Sequence, residues 1–187
     1  AEAKSQKDIY AQLLADITVT KVAGYNSAEA YRGTFDGNGH TVKTWIDNSS
    51  ADFAALFRYA KDYTIQNLHV TGTVKGGIHS AGLVGHSDAS EGGCNTIQNC
   101  RVSVNVESAK THAGGIVGHG LEAAHTITDC LFDGSIKCSS GNSAGAIIGW
   151  SNKNDGDMVT NCLEKGTYTN IKNLGMNFIH GVGAWEI

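Results

Sequence analysis

The stretch "AGLVGH" at Ala81–His86 is repeated almost unchanged as "GGIVGH" at Gly114–His119. A more divergent copy, "GAIIGW", runs over Gly145–Trp150, and "AALFRY" at Ala54–Tyr59 is a degenerate first copy. Small and β-branched residues bounded by glycine are typical of short strands and turns. The stretch is therefore one element of an internal repeat.

A second motif recurs in register with the first. It reads "TIQNL" from Thr64, "TIQNC" from Thr96, "TITDC" from Thr126 and "VTNC" from Val159. Its apolar anchors are 30 to 32 residues apart, and they are Ile65, Ile97, Ile127 and Val159. A fixed period of this length is typical of solenoids, in which each repeat is one structural unit.

Each repeat holds three short apolar segments, which are rich in β-branched residues and separated by glycine, asparagine and serine. Helical repeats of similar length need longer stretches with a helical period. Three short strands per repeat instead build one rung of a parallel β-helix, and stacking of the rungs buries a core that no single rung has. The sequence therefore predicts an all-β fold, a right-handed parallel β-helix (β-solenoid) of about four to five rungs.

Identical positions of successive rungs lie above one another in such a fold, so they form columns. One column contains Leu68, Cys100, Cys130 and Cys162. We interpret these cysteines as small buried hydrophobes, a common role of free cysteine. Metal binding is disfavoured, because stacked thiols lie in a line whereas tetrahedral zinc needs converging ligands. The three cysteines cannot all pair as disulfides within the column, and the pattern assigns no role to Cys94 or Cys138.

The position before this column holds Asn67, Asn99, Asp129 and Asn161. An amide at a bend hydrogen-bonds backbone groups that a turning strand leaves without partners. We therefore predict that these four residues form a structural ladder and not a catalytic set.

The two ends of the chain depart from the repeat. The stretch "SQKDIYAQLLA" at Ser5–Ala15 has a serine followed three residues later by aspartate, and then apolar residues at helical spacing. This pattern predicts a short capped helix, which would cover the aggregation-prone strand edges at the open end of the solenoid. We expect an N-terminal cap over 1–30 (this helix plus a strand), solenoid repeats over 31–168, and over 169–187 either a C-terminal cap or the start of a truncated further module.

The composition excludes two kinds of partner. The chain has 14 Lys and Arg against 18 Asp and Glu, a net charge of −4, and its basic residues form no stripe, so nucleic acid is not expected to bind. Its apolar runs are far shorter than the ~20 residues that cross a bilayer, so we expect no membrane insertion. With 24 Gly and no Pro, the chain turns with Gly, Asn, Asp and Ser.

A column of flat side chains follows the glycine-rich motif, and it contains Tyr59, His86, His119 and Trp150. His79 and His112 form a second column, which Ser143 continues. A row of rings on a rigid sheet is suited to stacking against a glycan, so the first column is the candidate ligand-binding surface. The alternative is an ordinary, partly packed column at a strand end, and strand alternation does not decide between the two. His86 and His119 alone lack a third ligand, so no metal site is predicted.

No recognisable catalytic set occurs in the sequence. An HExxH zinc-peptidase motif is absent, and the serines of "HSAG" and "NSAG" lack the pattern of a nucleophile elbow. Polysaccharide-cleaving β-helices need carboxylates clustered on one face, whereas Glu122, Asp129 and Asp133 fall in different columns or singly. We predict no catalytic residue and no cofactor, with a small polysaccharide-active enzyme as a competing hypothesis.

Three stretches resemble the GLUG-motif repeat family of bacterial exported and cell-surface proteins. They are "YRGTFDGNGHTV" at Tyr31–Val42, "AALFRYAKDYTIQNLHVTGTV" at Ala54–Val74, and "GLVG" at Gly82–Gly85, which matches the Gly-Leu-any-Gly core of the family. The resemblance covers roughly residues 15–168. It implies a modular, adhesin-like protein whose repeats flank other regions or enzymes, and the family has no shared catalytic residue.

The chain departs from the family pattern in two places. The sequence "ALFR" replaces the glycine-rich core in the first rung. Glu164 stands where earlier rungs have Val70, Val102 and Phe132, so we expect the apolar core to end there.

These observations favour a non-catalytic repeat module of a secreted or cell-surface bacterial protein, which acts as a rigid spacer or as an adhesion or ligand-binding domain. The alternative is a carbohydrate-binding module of a larger glycan-active enzyme, which requires an exposed aromatic column. The expected partner is a glycan or a host or cell-surface protein. The expected location is extracellular or at the cell surface.

Overall fold

A computed structural model of the chain describes residues 9–121, 124–140, 143–152 and 157–174. All regular secondary structure within these ranges is β-strand. The strands are β1 (Tyr10–Gln12), β2 (Ile17–Val19), β3 (Tyr31–Asp36), β4 (Thr41–Asp47), β5 (Phe57–Gln66), β6 (His69–Gly76), β7 (Val84–Asp88), β8 (Cys94–Gln98), β9 (Arg101–Ser108), β10 (Ala113–Gly114), β11 (Val117–Gly120), β12 (Ala124–Thr128), β13 (Leu131–Phe132), β14 (Ser135–Cys138), β15 (Ser143–Gly145), β16 (Ile148–Ser151), β17 (Met158–Thr160), β18 (Leu163–Glu164), β19 (Thr167–Thr169) and β20 (Asn173–Leu174).

The strands form three sheets in which every described strand pairs in parallel with the equivalent strand of the next coil. The first sheet has nine strands, which include those of both repeated motifs, and the second has eight, which include the apolar segment that follows the second motif. The third sheet is short and has the order β10-β15-β20. The long strand β5 pairs with β7 through its first half and with β8 through its last residues. The chain is therefore a β-solenoid of about four turns, and the predicted all-β parallel architecture is confirmed.

The core is a stack of apolar side chains that point into the solenoid. The anchors of the second motif lie directly above one another, since Ile65 pairs with Ile97, Ile97 with Ile127, and Ile127 with Val159. The three isoleucines are fully buried. Burial of a side chain of this size is worth roughly 1.5–3 kcal/mol, so the stacked anchors are a main source of stability.

The predicted N-terminal capping helix is wrong. Within Ser5–Ala15, the part of the chain that the structure describes begins at residue 9, and Tyr10–Gln12 form strand β1. This strand pairs in parallel with β3, and the amide of Leu13 donates to the carbonyl of Asp36 over 2.9 Å. The backbone groups of this segment hydrogen-bond to the open edge of β3, whereas in a helix they would bond to one another. A strand therefore completes the first coil.

In the last described coil a polar residue takes a position that is apolar in the earlier coils, although Tyr168 and Ile171 after it still pack against the core. Glu164 pairs in register with Phe132, and its carboxylate accepts hydrogen bonds from the amide of Gly166 and the hydroxyl of Tyr168, each over 2.7 Å. Of the C-terminal segment predicted over 169–187, residues 175–187 lie outside the described residues.

Candidate functional site

The four residues of the candidate ligand column lie side by side. His86 pairs in register with Tyr59 on one side and with His119 on the other, and His119 pairs with Trp150. The repeat therefore places one ring per coil on four successive strands of the first sheet, β5, β7, β11 and β16.

A second column packs against the first. Phe53, His79 and His112 precede the glycine-rich motif, and all three have left-handed backbone conformations, with φ of 63°, 58° and 59°. Phe53 stacks on His79 at 5.6 Å between ring centroids, and His79 stacks on His112 at 5.4 Å. His79 also stacks on His119 at 4.5 Å. We call the seven rings the ring cluster: Phe53, Tyr59, His79, His86, His112, His119 and Trp150.

The left-handed residues explain the last glycine of the repeated motif. A side chain at Gly85 would collide with the carbonyl oxygen of Phe53, and one at Gly118 with the carbonyl oxygen of His79. Only glycine allows backbone to approach this closely. The glycine recurs in the motif because each coil packs this position against the left-handed residue of the coil before it.

Packing within the cluster limits how much of the column meets solvent. His119 is only 8% exposed, and Tyr59 and His86 are half-buried. The rings of Tyr59 and His86 are tilted by 54° to each other, so the column is not one flat surface. Trp150 is the most open member, at 38% exposed, and its indole nitrogen donates to Oδ1 of Asn152 over 2.6 Å.

Burial also keeps the histidines of the cluster uncharged. It lowers the pKa of His79 to about 3 and the pKa of His86 to about 4. The same cause lowers the pKa of His112 and of His119. The Nδ1 atoms of His86 and His119 lie 3.1 Å apart, so one neutral ring donates a hydrogen bond to the other.

The amide ladder lies on a different edge of the solenoid. Its members all adopt left-handed conformations at the same corner of successive coils, with φ between 50° and 54°: Asn67, Asn99, Asp129 and Asn161. Asn99 Nδ2 donates to Asn67 Oδ1 over 2.8 Å, and Asn161 Nδ2 donates to Asp129 Oδ1 over 3.2 Å. Asparagine and aspartate tolerate this conformation better than other residues with side chains, so the ladder shapes the corner.

Asp36 ends the ladder at the first coils. Its carboxylate accepts hydrogen bonds from the amide of Asn38, from Gln66 Nε2, from Asn67 Nδ2 and from the hydroxyl of Tyr10, at 2.8 to 3.1 Å. These donors, the Asn38 amide first, lower the pKa of Asp36 to about 2. The carboxylate is therefore ionised and fully used by the fold at neutral pH.

The cysteine column is internal. Leu68 and Cys100 are 2% exposed, as is Cys130, and Cys162 is 6% exposed. Contact with the thiol of Cys100, together with burial, raises the pKa of Cys130 to about 12, so this thiol is not nucleophilic at neutral pH. All five cysteines are free, Cys138 is buried, and Cys94 is exposed.

A buried network contains the geometry of a catalytic triad. His125 Nε2 lies 2.8 Å from Ser87 Oγ, and His125 Nδ1 lies 2.9 Å from Asp157 Oδ1. Serine proteases use this order of groups for nucleophilic attack. Here Ser87 is fully buried, and its oxygen also contacts the Tyr63 hydroxyl and Asn95 Nδ2, each at 2.9 Å. These contacts fill the one donor and two acceptor positions of the hydroxyl, so the network is closed to a substrate.

The sequence contained a signal for this network that the repeat alignment did not use. Tyr63, Asn95, His125 and Asp157 stand two residues before the four apolar anchors of the second motif. His125 pairs in register with Asn95. Positions two apart in a strand point the same way, so this polar column faces inward with the isoleucines. A polar residue at an inward position of every repeat indicates a buried hydrogen-bond network.

Three surface depressions lie away from the buried network of Ser87, His125 and Asp157. One follows the amide ladder and is lined by residues that include Asn67, His69, Asn99 and Arg101. Neither this depression nor the two beside Tyr63 and Tyr168 includes Ser87, His125 or Asp157 in its lining. Among the described residues, no three His, Cys, Asp or Glu side chains converge as metal ligands. The described ranges also contain no helix long and apolar enough to span a membrane.

The fold and these columns define the class of protein as a parallel β-solenoid. Comparisons with protein-family models, with curated proteins and with solved structures found no match to the chain.

Proposed function

We propose that the chain is a rigid, non-catalytic module of a secreted or cell-surface bacterial protein, in which it serves as a spacer or adhesion domain. The observation that carries this proposal is the use of its repeated polar side chains to join the coils. The column that contains His125 is buried, and the amide ladder, although it lies at the surface, is hydrogen-bonded from coil to coil. The resemblance to the GLUG-motif family supports a location outside the cell.

Rigidity follows from how the coils are joined. Each coil is bonded to the next through backbone ladders in parallel sheets, as in the eight-residue register between β6 and β9. Side-chain ladders add bonds in the same direction, for example from Gln98 Nε2 to Gln66 Oε1 at 2.9 Å. Adjacent coils are thereby held about 4.8 Å apart in the described strands.

Backbone relaxation of the 15N-labelled protein tests this rigidity. We expect order parameters near 0.85 in the strands of all coils, the value of rigid backbone. Values below about 0.6 in an internal strand such as β8 would contradict the spacer proposal.

A fluorophosphonate probe tests the absence of catalysis. Ser87 should remain unlabelled in the folded protein, because its hydroxyl is buried and has three hydrogen-bond partners. Stoichiometric labelling of Ser87, detected by mass spectrometry of the labelled peptide, would show that the triad geometry is reachable and would overturn the non-catalytic proposal.

Carbohydrate binding is the second candidate function, and two exposed indoles favour it. Trp45 is 51% exposed on the second sheet, beside Lys43, whose ammonium lies 5.1 Å from the ring centroid. In register with Trp45, the next coils present a row of small polar residues, Thr73, Asn105, Ser135 and Thr167. An aromatic ring followed by regularly spaced hydroxyl and amide groups suits a linear glycan. Trp150 offers a smaller platform at the edge of the ring cluster.

A glycan-array screen distinguishes the two surfaces and the two functions. Trp45→Ala should abolish binding if the glycan lies on the second sheet, whereas Trp150→Ala should abolish it if the ring cluster is used. Met158→Ala is the control, because Met158 is 50% exposed and pairs in register with Thr126, outside both surfaces. No binding by the folded wild type would leave the spacer role and a protein partner, host or cell-surface, as the proposal.

A further inference from the structure

The ring cluster holds four imidazoles in a small volume. His86 and His119 face each other, and His79 stacks on His119 and on His112. Among the described residues, three buried side-chain polar atoms have no hydrogen-bond partner, and two of them are the Nδ1 atoms of His79 and His112. Nitrogen atoms buried without a partner are costly, so the hydrogen bonds within the cluster do not satisfy all of its imidazoles.

The spacing of His86 and His119 matches that of two ligands on one metal ion. With metal–nitrogen bonds of about 2.1 Å and angles from square-planar to tetrahedral, two ligand nitrogens lie about 3.0 to 3.4 Å apart. The two Nδ1 atoms lie 3.1 Å apart. With bonds of this length the ion lies to one side of the line that joins the two atoms. It replaces their hydrogen bond with two nitrogen–metal bonds, and the ring that donated the hydrogen bond then carries its proton on Nε2.

The geometry points to a binding site for a borderline divalent transition-metal ion, such as Zn²⁺ or Cu²⁺, that is chelated by Nδ1 of His86 and Nδ1 of His119. No third acidic, thiol or imidazole ligand converges there among the described residues, so water completes the coordination. Such a site has open positions and is of the exchangeable kind, unlike the closed sites that hold structural zinc.

The fold fixes the positions of the two ligand side chains. The two histidines pair in register on adjacent parallel strands, β7 and β11, so their separation is set by the backbone. Phe53 packs on His86 at 4.8 Å and His79 on His119 at 4.5 Å, which restricts rotation of both rings. The side chain of Asn152 also hydrogen-bonds His119.

Calorimetric titration with Zn²⁺ tests the proposal, with Cys94→Ser in every protein because Cys94 is an exposed thiol. One ion should bind per chain. His86→Gln and His119→Gln should each weaken binding by at least about tenfold, because each leaves a single imidazole. His69→Gln is the matched control, since His69 lies outside the cluster and contacts Ser103, and it should leave the affinity unchanged.

A second measurement does not depend on the variants folding. Substoichiometric Cu²⁺ added to the 15N-labelled parent should broaden first the resonances of His86, His119 and their neighbours. Broadening centred on other histidines, or Zn²⁺ binding that is no tighter than in a folded variant lacking both imidazoles, would overturn the proposal.

Discussion

Asn99 donates a hydrogen bond from Nδ2 to Oδ1 of Asn67 over 2.8 Å, although 32 residues separate them in the sequence. Both residues sit at the same corner of adjacent coils in a left-handed conformation. One side chain thus serves two purposes, because it joins two coils and permits the turn within its own coil. The two contributions can be separated by substitution.

Asn99→Ala should lower the free energy of unfolding by about 2–3 kcal/mol, because alanine loses the hydrogen bond and is strained at φ of 50°. Asn99→Gly should cost about 1 kcal/mol less than the alanine variant, because glycine adopts this conformation freely. Urea unfolding of the three proteins measures the difference. An equal loss in both variants would show that the corner does not need a left-handed residue.

Asp36 should make the fold sensitive to acid. Its pKa is about 2 in the folded chain against an ordinary value of 3.8. Because the folded pKa is the lower one, the carboxylate stabilises the fold above pH 3.8, and this contribution is lost as the pH falls toward 2. The wild type should therefore lose its advantage over Asp36→Asn within this window, as measured by urea unfolding at each pH. A stability difference that does not change with pH would contradict the assignment.

Asp157 should be far more important for stability than an exposed acidic residue. Its Oδ1 accepts from both the backbone amide and the ring of His125, each at 2.9 Å, in a buried site. Asp157→Ala leaves these groups unpaired and should cost about 2–4 kcal/mol. Glu107→Ala is the control, since its ion pair with Lys75 is more than two-fifths exposed and should be worth less than 1 kcal/mol. Chemical denaturation compares the two, and similar losses would refute the buried network.

Cys130 should accept small apolar replacements and reject a charge. It is 2% exposed between Cys100 and Cys162, so Cys130→Ala removes only a small buried group and should cost about 1 kcal/mol. Cys130→Asp buries a carboxylate with no cation beside it and should cost more than about 4 kcal/mol or prevent folding. Thermal unfolding followed by circular dichroism measures both. Equal tolerance of alanine and aspartate would place the column outside the core.

The repeat made much of the fold predictable. In a stacked solenoid, residues aligned in sequence are neighbours in space, so the 30–32-residue spacing of Ile65, Ile97 and Ile127 gave their register directly. The same alignment placed Tyr59 beside His86. Periodicity carried this information because every coil repeats the same hydrogen-bond pattern.

The strand at Tyr10–Gln12 could not be predicted from the local sequence pattern. The serine, the aspartate and the apolar spacing within Ser5–Ala15 are helix signals, but Tyr10–Gln12 pair with the open edge of β3. The Tyr10 hydroxyl then reaches Asp36, which is 26 residues away. Tertiary pairing overrides local propensity where a sheet edge is available.

The packing of the ring cluster could not be predicted from the sequence either. Phe53, His79 and His112 precede the aligned strands and turn over them in left-handed conformations, which no strand periodicity predicts. Their rings decide how far His119 is covered. Exposure of a column therefore depends on the turns between the strands, not on the strands that carry it.

Hydrogen-bond scalar couplings measured by NMR on the deuterated protein test most directly the central claim, that the coils stack in parallel register and use their polar columns to join one coil to the next. The account predicts couplings from the amide nitrogen of Asn67 to the carbonyl carbon of Gln98, from Asn99 to Thr128, and from Asp129 to Thr160. It also predicts a coupling between the side-chain amides of Asn99 and Asn67. Amide partners in any other register, or antiparallel pairing at these positions, would contradict the solenoid and the proposals built on it.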